Sequence, residues 1–291
     1  MHSYLKAIGF SEIEKKKDID KLLTEVVADY DEKIVVENES EHLYAEMSKE
    51  YGINSGITVF GEYDENNVFQ REYWYPYFRG MQVSSREEIV IEKHADKESY
   101  AGACDDIRVG VTLIFYLQNA GEYILERGRK ALKKGENSVS LSGLAKEGKI
   151  LLPIEKKEWP ENKDKKTMSK RNNLIAAARN GDEEAIESLT MEDIDTYSMI
   201  SRRILHEDVF SIVESYFMPY GMECDQYNIM GEVLECTETT NYETKEKVYQ
   251  MTLDCNDICF EICINDKDLM GEPQKGRRFK GTIWLQGKVD F

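Results

Sequence analysis

The stretch from Arg278 to Phe291 alternates with a two-residue period. Phe279, Ile283, Leu285, Val289 and Phe291, with Gly281 and Gly287 between them, fall on one side; Arg278, Lys280, Thr282, Trp284, Gln286 and Lys288 fall on the other. Successive side chains of a strand point to opposite faces, so this pattern predicts a strand with one buried face. The second face carries cations, an amide and an indole, which is unusual chemistry for a plain solvent face. Arg278, Lys280, Trp284, Gln286 and Lys288 are therefore a candidate surface for a partner or a nucleic acid. From Gly271 to Phe291 there are five Lys/Arg against two Asp/Glu, an arrangement of cations beside an indole that suits stacking and phosphate contacts. The competing expectation is that this face docks on an acidic helix of the same chain, within 182–195 or 206–214. That reading ranks first, a protein partner second and nucleic acid last.

The pattern before this strand is also β: 229–236, 246–254 and 258–264, with Asn256-Asp257 as the hairpin turn and a short helical turn at 266–269. A long first strand, a hairpin, a short connector and a final strand predict a small OB-like barrel over residues 226–291. Such a barrel needs one further strand, expected from bending of the first.

The N-terminal half mixes periods. Ile19, Leu22, Leu23, Val26 and Val27 fit a helix face, and Ser40 followed by Leu43, Met47 and Tyr51 predicts a second, capped helix. From Gly56 strands are expected at 57–63, 67–78, 88–94, 107–118, 138–144 and 148–154, with a tight turn at Asn66-Asn67 and a helix over 119–134. The fold class is α+β: a mostly antiparallel N-terminal sheet with helices (1–155), an exposed linker (156–170), a helical middle segment (171–225) and the C-terminal barrel. Residues 155–171 carry seven Lys/Arg and four Asp/Glu with hardly any apolar residue, which supports the linker. Asp182 is a natural N-cap for 183–189. Val209, Ile212, Val213 and Phe217 mark a last helix.

Net charge bounds the partners. At −18 over 291 residues, the chain disfavours generic nucleic-acid and anionic-membrane partners. No apolar run is long enough to span a bilayer, and no signal peptide is evident. With six Cys and no secretion signal, reduced thiols in the cytoplasm are expected. Cys255, Cys259 and Cys263 are spaced as in a motif. On a strand, however, Cys259 and Cys263 lie roughly 13 Å apart, so they read as packing residues. The four His are scattered. No phosphate-binding glycine loop, nucleophile elbow or metalloprotease motif occurs. No metal, cofactor or catalytic residue is assigned.

One other constellation remains. Tyr73-Trp74-Tyr75-Pro76-Tyr77-Phe78 is aromatic on both faces, flanked by Arg71 and Arg79, and Asp105-Asp106 opens a buried strand. The plain reading is a strand sandwiched between layers and a turn capped by an Asp. The functional alternative is a ligand pocket in the N-terminal sheet lined by Arg71, Tyr73, Tyr75, Tyr77, Arg79, Asp105 and Asp106.

Residues 1–10 (Met1-His2-Ser3-Tyr4-Leu5-Lys6-Ala7-Ile8-Gly9-Phe10), Tyr100 to Asn119, Gly181 to Arg203, Tyr216 to Gly231 and Gly276 to Phe291 carry a resemblance. Through them the chain resembles, at full length, a family of uncharacterised cytosolic proteins from clostridia and related Firmicutes, a domain of unknown function. The resemblance implies a bacterial cytosolic origin and brings no catalytic residues. The expectation is a non-enzymatic interaction or binding protein with a protein partner of unknown identity. An enzyme or small-ligand binder using the N-terminal pocket, and single-strand nucleic-acid binding by the barrel, are the alternatives.

Overall fold

A computed structural model describes residues 2–37, 43–94, 99–106, 108–128, 137–154, 174, 177–178, 181–191, 209–221 and 224–291. The described chain is a mixed α+β structure, mostly strands. Its centre is a closed barrel of five strands: β8 (Ser138–Leu151), β10 (Gln226–Thr240), β11 (Lys247–Cys255), β12 (Ile258–Asn265) and β14 (Arg278–Asp290). The ring runs β8-β12-β11-β10-β14 and closes where β14 pairs with β8 from Arg278↔Leu151 to Asp290↔Ser138. The β8–β12 pair is parallel; the other four junctions are antiparallel. The predicted strands of 226–291 are present. Asn256 and Asp257 sit at φ 54° and 64°, the two left-handed positions that a tight hairpin turn requires.

The fifth strand does not come from bending of β10. It is β8, from the N-terminal half. The sequence suggests two strands there, 138–144 and 148–154, because its alternation breaks between them. The break is a bulge: Thr282 pairs with Glu147 and Ile283 with Ala145, so Lys146 has no counterpart in β14. A bulge bends one continuous strand, as closing a small barrel demands.

The two glycines inside β14 have a packing reason. A Cβ on Gly281 would lie 2.6 Å from the Phe279 ring, and one on Gly287 would lie 2.5 Å from the ring of Phe115. Each glycine leaves room for an aromatic ring laid across the strand.

The N-terminal half wraps this barrel. A four-stranded antiparallel sheet, β1 (Glu32–Glu37), β2 (Leu43–Gly52), β3 (Ser55–Tyr63) and β4 (Phe69–Phe78), carries helix α1 (Lys16–Ala28) on β2 and β3. Ile19, Leu22, Leu23 and Val26 form the buried face of α1. The segment expected as a second helix is β2. Leu43, Met47 and Tyr51 fit a helical period, but residues 44–48 are all buried, so both strand faces are covered and the alternation is lost.

A meander of β5 (Ile89–Lys93), β6 (Tyr100–Cys104) and β7 (Leu113–Leu117) joins the barrel where β7 runs parallel to the end of β14. Strand β6 is not foreseen in the sequence, and the strand expected over 107–118 is confined to β7. Helix α2 (Ala120–Gly128) follows and packs on β1. Of the helical middle, residues 183–191 and the short helix α3 (Val209–Ile212) are described. Asp182 caps the former, its Oδ1 accepting from the Ala185 amide at 3.1 Å. The last predicted helix ends early, because Tyr216–Pro219 forms strand β9 beside β10. The linker 156–170 lies outside the described residues.

A 3-10 helix, His2–Ile8, seals the barrel. Its end is held by side chains of the barrel loops: Asn241 Nδ2 donates to Ile8 O at 2.8 Å, Thr244 Oγ1 to Gly9 O at 2.6 Å and Asn265 Nδ2 to Lys6 O at 3.0 Å. One continuous core therefore holds residues from Tyr4 to Val289. The contacts of β8 and of this helix cross the divisions expected at 155 and 226.

Candidate binding surfaces

The cationic face of β14 is turned inward. The Trp284 side chain is 3% exposed; its ring centroid lies 5.3 Å from that of Tyr4 and 5.2 Å from that of Tyr116. Its Nε1 donates to Asp225 Oδ2 at 2.7 Å, giving a buried indole the partner it needs. Gln286 is fully buried and ties β14 to β4 and β7. Its Nε2 donates to Pro76 O at 2.8 Å, and its Oε1 accepts from Gln118 Nε2 at 2.8 Å.

Arg278 donates to the carbonyls of Phe210 (2.7 Å), Val213 (2.8 Å) and Leu152 (3.1 Å). A guanidinium on the last carbonyls of a helix satisfies acceptors that the helix cannot. Burial moves the Arg278 pKa down. Lys280 lies 4.0 Å from the centre of the Phe210 ring, with its pKa lowered by burial and by Lys149. Lys288 is the exposed member of the set, with Glu122 at 3.9 Å. The docking surface is thus assembled from the 3-10 helix, β7 and the region around α3.

The aromatic strand is also interior. Tyr73, Tyr75 and Tyr77 are buried. Tyr73 stacks on Phe60 at 5.0 Å, and Tyr75 packs on Tyr116 at 4.7 Å while its hydroxyl donates to Gln118 O at 2.7 Å. Burial pushes the pKa of all three phenols up. Arg71 reaches Asp20 of α1 at 2.7 Å, whereas Arg79 covers the Tyr77 ring at 4.6 Å and pairs with Glu32 at 2.6 Å. The two arginines start roughly 26 Å apart along the strand and grip no common point.

Asp105 and Asp106 diverge, as neighbours in extended chain do. Asp105 is exposed and accepts from Thr112 Oγ1. Asp106 is 1% exposed; it accepts from Ser85 Oγ at 2.6 Å and from Arg108 Nε at 2.8 Å. Arg108 bonds in turn to Ser84 O and Asp257 O, both at 2.8 Å. A cleft of about 480 Å³ opens beside this cluster, lined by Ser84, Ser85, Arg86, Glu87, Asp106 and Arg108. Most donors of Arg108 are already engaged there, and the cluster straps the 84–87 loop to the β11–β12 turn. Tyrosines, arginines and aspartates of the sequence-derived pocket are thus not brought together at one point.

Two features escape the sequence reading. The first is Glu46 on β2, 7% exposed. Its Oε2 accepts from the Gly121 amide in the first turn of α2 at 2.8 Å. Burial is the main cause that raises its pKa to about 7, and Glu122 adds to it. A glutamate in a stretch expected to be helical gives no signal of this.

The second is a groove of about 620 Å³ on the barrel, bounded by β10, β11 and the 272–275 connection. Leu234, Cys236, Tyr249 and Pro273 supply its apolar lining; Glu235, Glu238, Glu272 and Lys275 stand round it. It opens because pairing between β10 and β14 stops at Glu232↔Arg278. A bulge between Val233 and Glu235 then turns β10 away. Among the described residues, no group of three His, Cys, Asp or Glu side chains could hold a metal ion, and no helix is long and apolar enough to cross a membrane. Cys255 and Cys263 are buried, with thiols directed to Met230 O and Ala7 O.

The arrangement defines an α+β protein built round a five-stranded barrel that carries an open groove. Residues 5–287 match the family described as a domain of unknown function, E. rectale gene description (DUF3881), and the chain belongs to that family. No curated protein and no solved structure shows significant similarity to it.

Proposed function

We propose that this protein is a non-enzymatic, cytosolic binding protein whose partner occupies the groove between β10, β11 and the 272–275 connection. One observation carries this reading. The indole and phenols that look like binding groups in the sequence are core residues, while the groove is an open cavity whose lining mixes apolar side chains such as Leu234 and Tyr249 with charged ones such as Glu235 and Glu238, a composition common at recognition sites.

The barrel is OB-like in its strand order: a meander, β10 to β12, closed by two further strands with one parallel junction. In barrels of that type the face of the second and third strands and the loop joining the first two commonly hold oligonucleotides. Here the chain itself takes up that region. Gln250 Nε2 donates to Ile53 O at 2.6 Å, Glu261 accepts from the Met81 amide, and Asn241 and Thr244 of the loop hold the N-terminal segment. This, with the net charge of −18, argues for a protein partner over nucleic acid.

The test is capture from an extract of the native host by wild type and by the double variant Tyr249→Ala/Glu238→Lys. Loss of the captured partner in the variant, at unchanged melting temperature, is the expected result. Equal capture by both would contradict the assignment of the groove.

A further inference from the structure

Half of one strand borders the groove without a second neighbour. Strand β10 has β14 on one edge from Gln226 to Glu232, and on the other edge first β9 and then β11. Beyond Glu232 the β14 edge keeps two more bonds, Val233 N to Arg277 O at 2.7 Å and Gly276 N to Val233 O at 2.8 Å. From Leu234 to Thr240, β11 is the only strand paired with β10 among the described residues. An antiparallel strand directs alternate N–H and C=O groups to each edge, so a row of them faces the groove. Such a row is a template for another extended chain.

We propose that residues 234–240 of β10 accept an extended, cation-bearing peptide segment of a partner protein as an added strand. This rests on the reading of the groove as the binding surface. Charge selects the occupant. Glu235, Glu238 and Glu272 are exposed round the groove against one exposed lining cation, Lys275, and Lys247 is shared between Glu238 at 2.9 Å and Asp266 at 3.7 Å. A second copy of this chain would bring its own acidic rim and a net charge of −18 against the first. The register sets Glu238 beside Tyr249 on one face of β10 and Glu235 on the other, so a Lys or Arg of the added strand meets one acid or the other according to the face it falls on, and apolar side chains of the same strand meet the remaining lining. The same acids protect the edge against pairing with itself.

Hydrogen exchange of the full chain with a blocked peptide of about eight residues, a common strand length, alternating Lys and Val, tests this. In the free chain, edge-facing amides within 235–240 are expected to exchange rapidly, and to slow when the peptide saturates. Binding should weaken at least about tenfold in Glu235→Lys/Glu238→Lys, weaken with added salt, and vanish for a peptide N-methylated at alternate residues. Four results overturn the proposal: protection of 235–240 in the free chain, which would mean the chain covers its own edge; no added protection with peptide; equal binding of the N-methylated peptide, which would reduce the contact to charge; or equal binding of an alternating Glu-Val peptide. Should the peptide fail while Tyr249→Ala/Glu238→Lys still abolishes partner capture, strand addition is wrong and the groove stands. Unchanged capture by that variant removes the groove reading itself.

Discussion

Strand β14 has β8 along its whole length, β10 beside its first half and β7 beside its end, whereas from Leu234 onward β11 is the only strand paired with β10 among the described residues. The two strands are neighbours in one barrel. The first carries the residues that look functional and buries them; the second carries an unremarked run, Leu234-Glu235-Cys236-Thr237-Glu238, and leaves it open. Residue type alone does not separate the two cases. What separates them is whether the rest of the chain supplies a neighbour: Tyr4, Tyr116, Gln118, Asp225 and the α3 carbonyls close over β14, and none of these elements reaches the second half of β10.

The contrast makes graded predictions. Trp284→Ala removes the indole from between two rings, together with the N–H that Asp225 accepts. It should cost about 3–5 kcal/mol in denaturant unfolding, where a solvent-facing tryptophan would cost within about 0.5 kcal/mol.

Glu46→Gln tests the second buried polar site through pH. The folded pKa of Glu46 lies near 7 against 4.5 for the free side chain, so the folded state holds a proton that the unfolded state has released between those values. Wild-type stability should therefore fall as pH rises from about 4.5 to about 7, by roughly 3 kcal/mol on this group's account. The amide that replaces the carboxyl does not titrate, so the variant should lack that share of the slope; superimposable profiles would rule the effect out.

Arg278→Met keeps the apolar stem but takes the guanidinium donors away from the carbonyls of Phe210, Val213 and Leu152, at a cost of about 1–3 kcal/mol. The smallest effect belongs to the groove: Glu238→Lys, at an exposed site, should change stability by within about 0.5 kcal/mol while weakening partner binding. A large stability loss there would erase the distinction between the two strands.

Much of the fold is legible in the sequence where polar and apolar residues alternate, even where, as on β14, the polar face is also largely buried. Strands β10, β11, β12 and β14, helix α1, the Asp182 cap and the Asn256-Asp257 turn follow from alternation, helical spacing and turn chemistry. The failures occur where the alternation itself is lost or the element is short. Residues 44–48 are buried throughout, so Leu43, Met47 and Tyr51 mimic a helix. Strands β6 and β9 are too short to show a period, and the bulge at Lys146 imitates a break between two strands. The closing of the barrel by β8 depends on pairing over more than a hundred residues of sequence, which no local pattern encodes. The groove escaped for the same reason: it is defined by where β14 stops pairing with β10, and that is a property of register, not of composition.

Residue-resolved hydrogen exchange of the free protein most directly tests the claim that β14 is interior and the second half of β10 is the open edge. Amides of 279–289 should be among the slowest in the chain, exchanging only through global unfolding, while edge-facing amides within 235–240 exchange orders of magnitude faster under identical conditions. Rapid exchange along β14, or protection of 235–240 equal to that of β14, would contradict it.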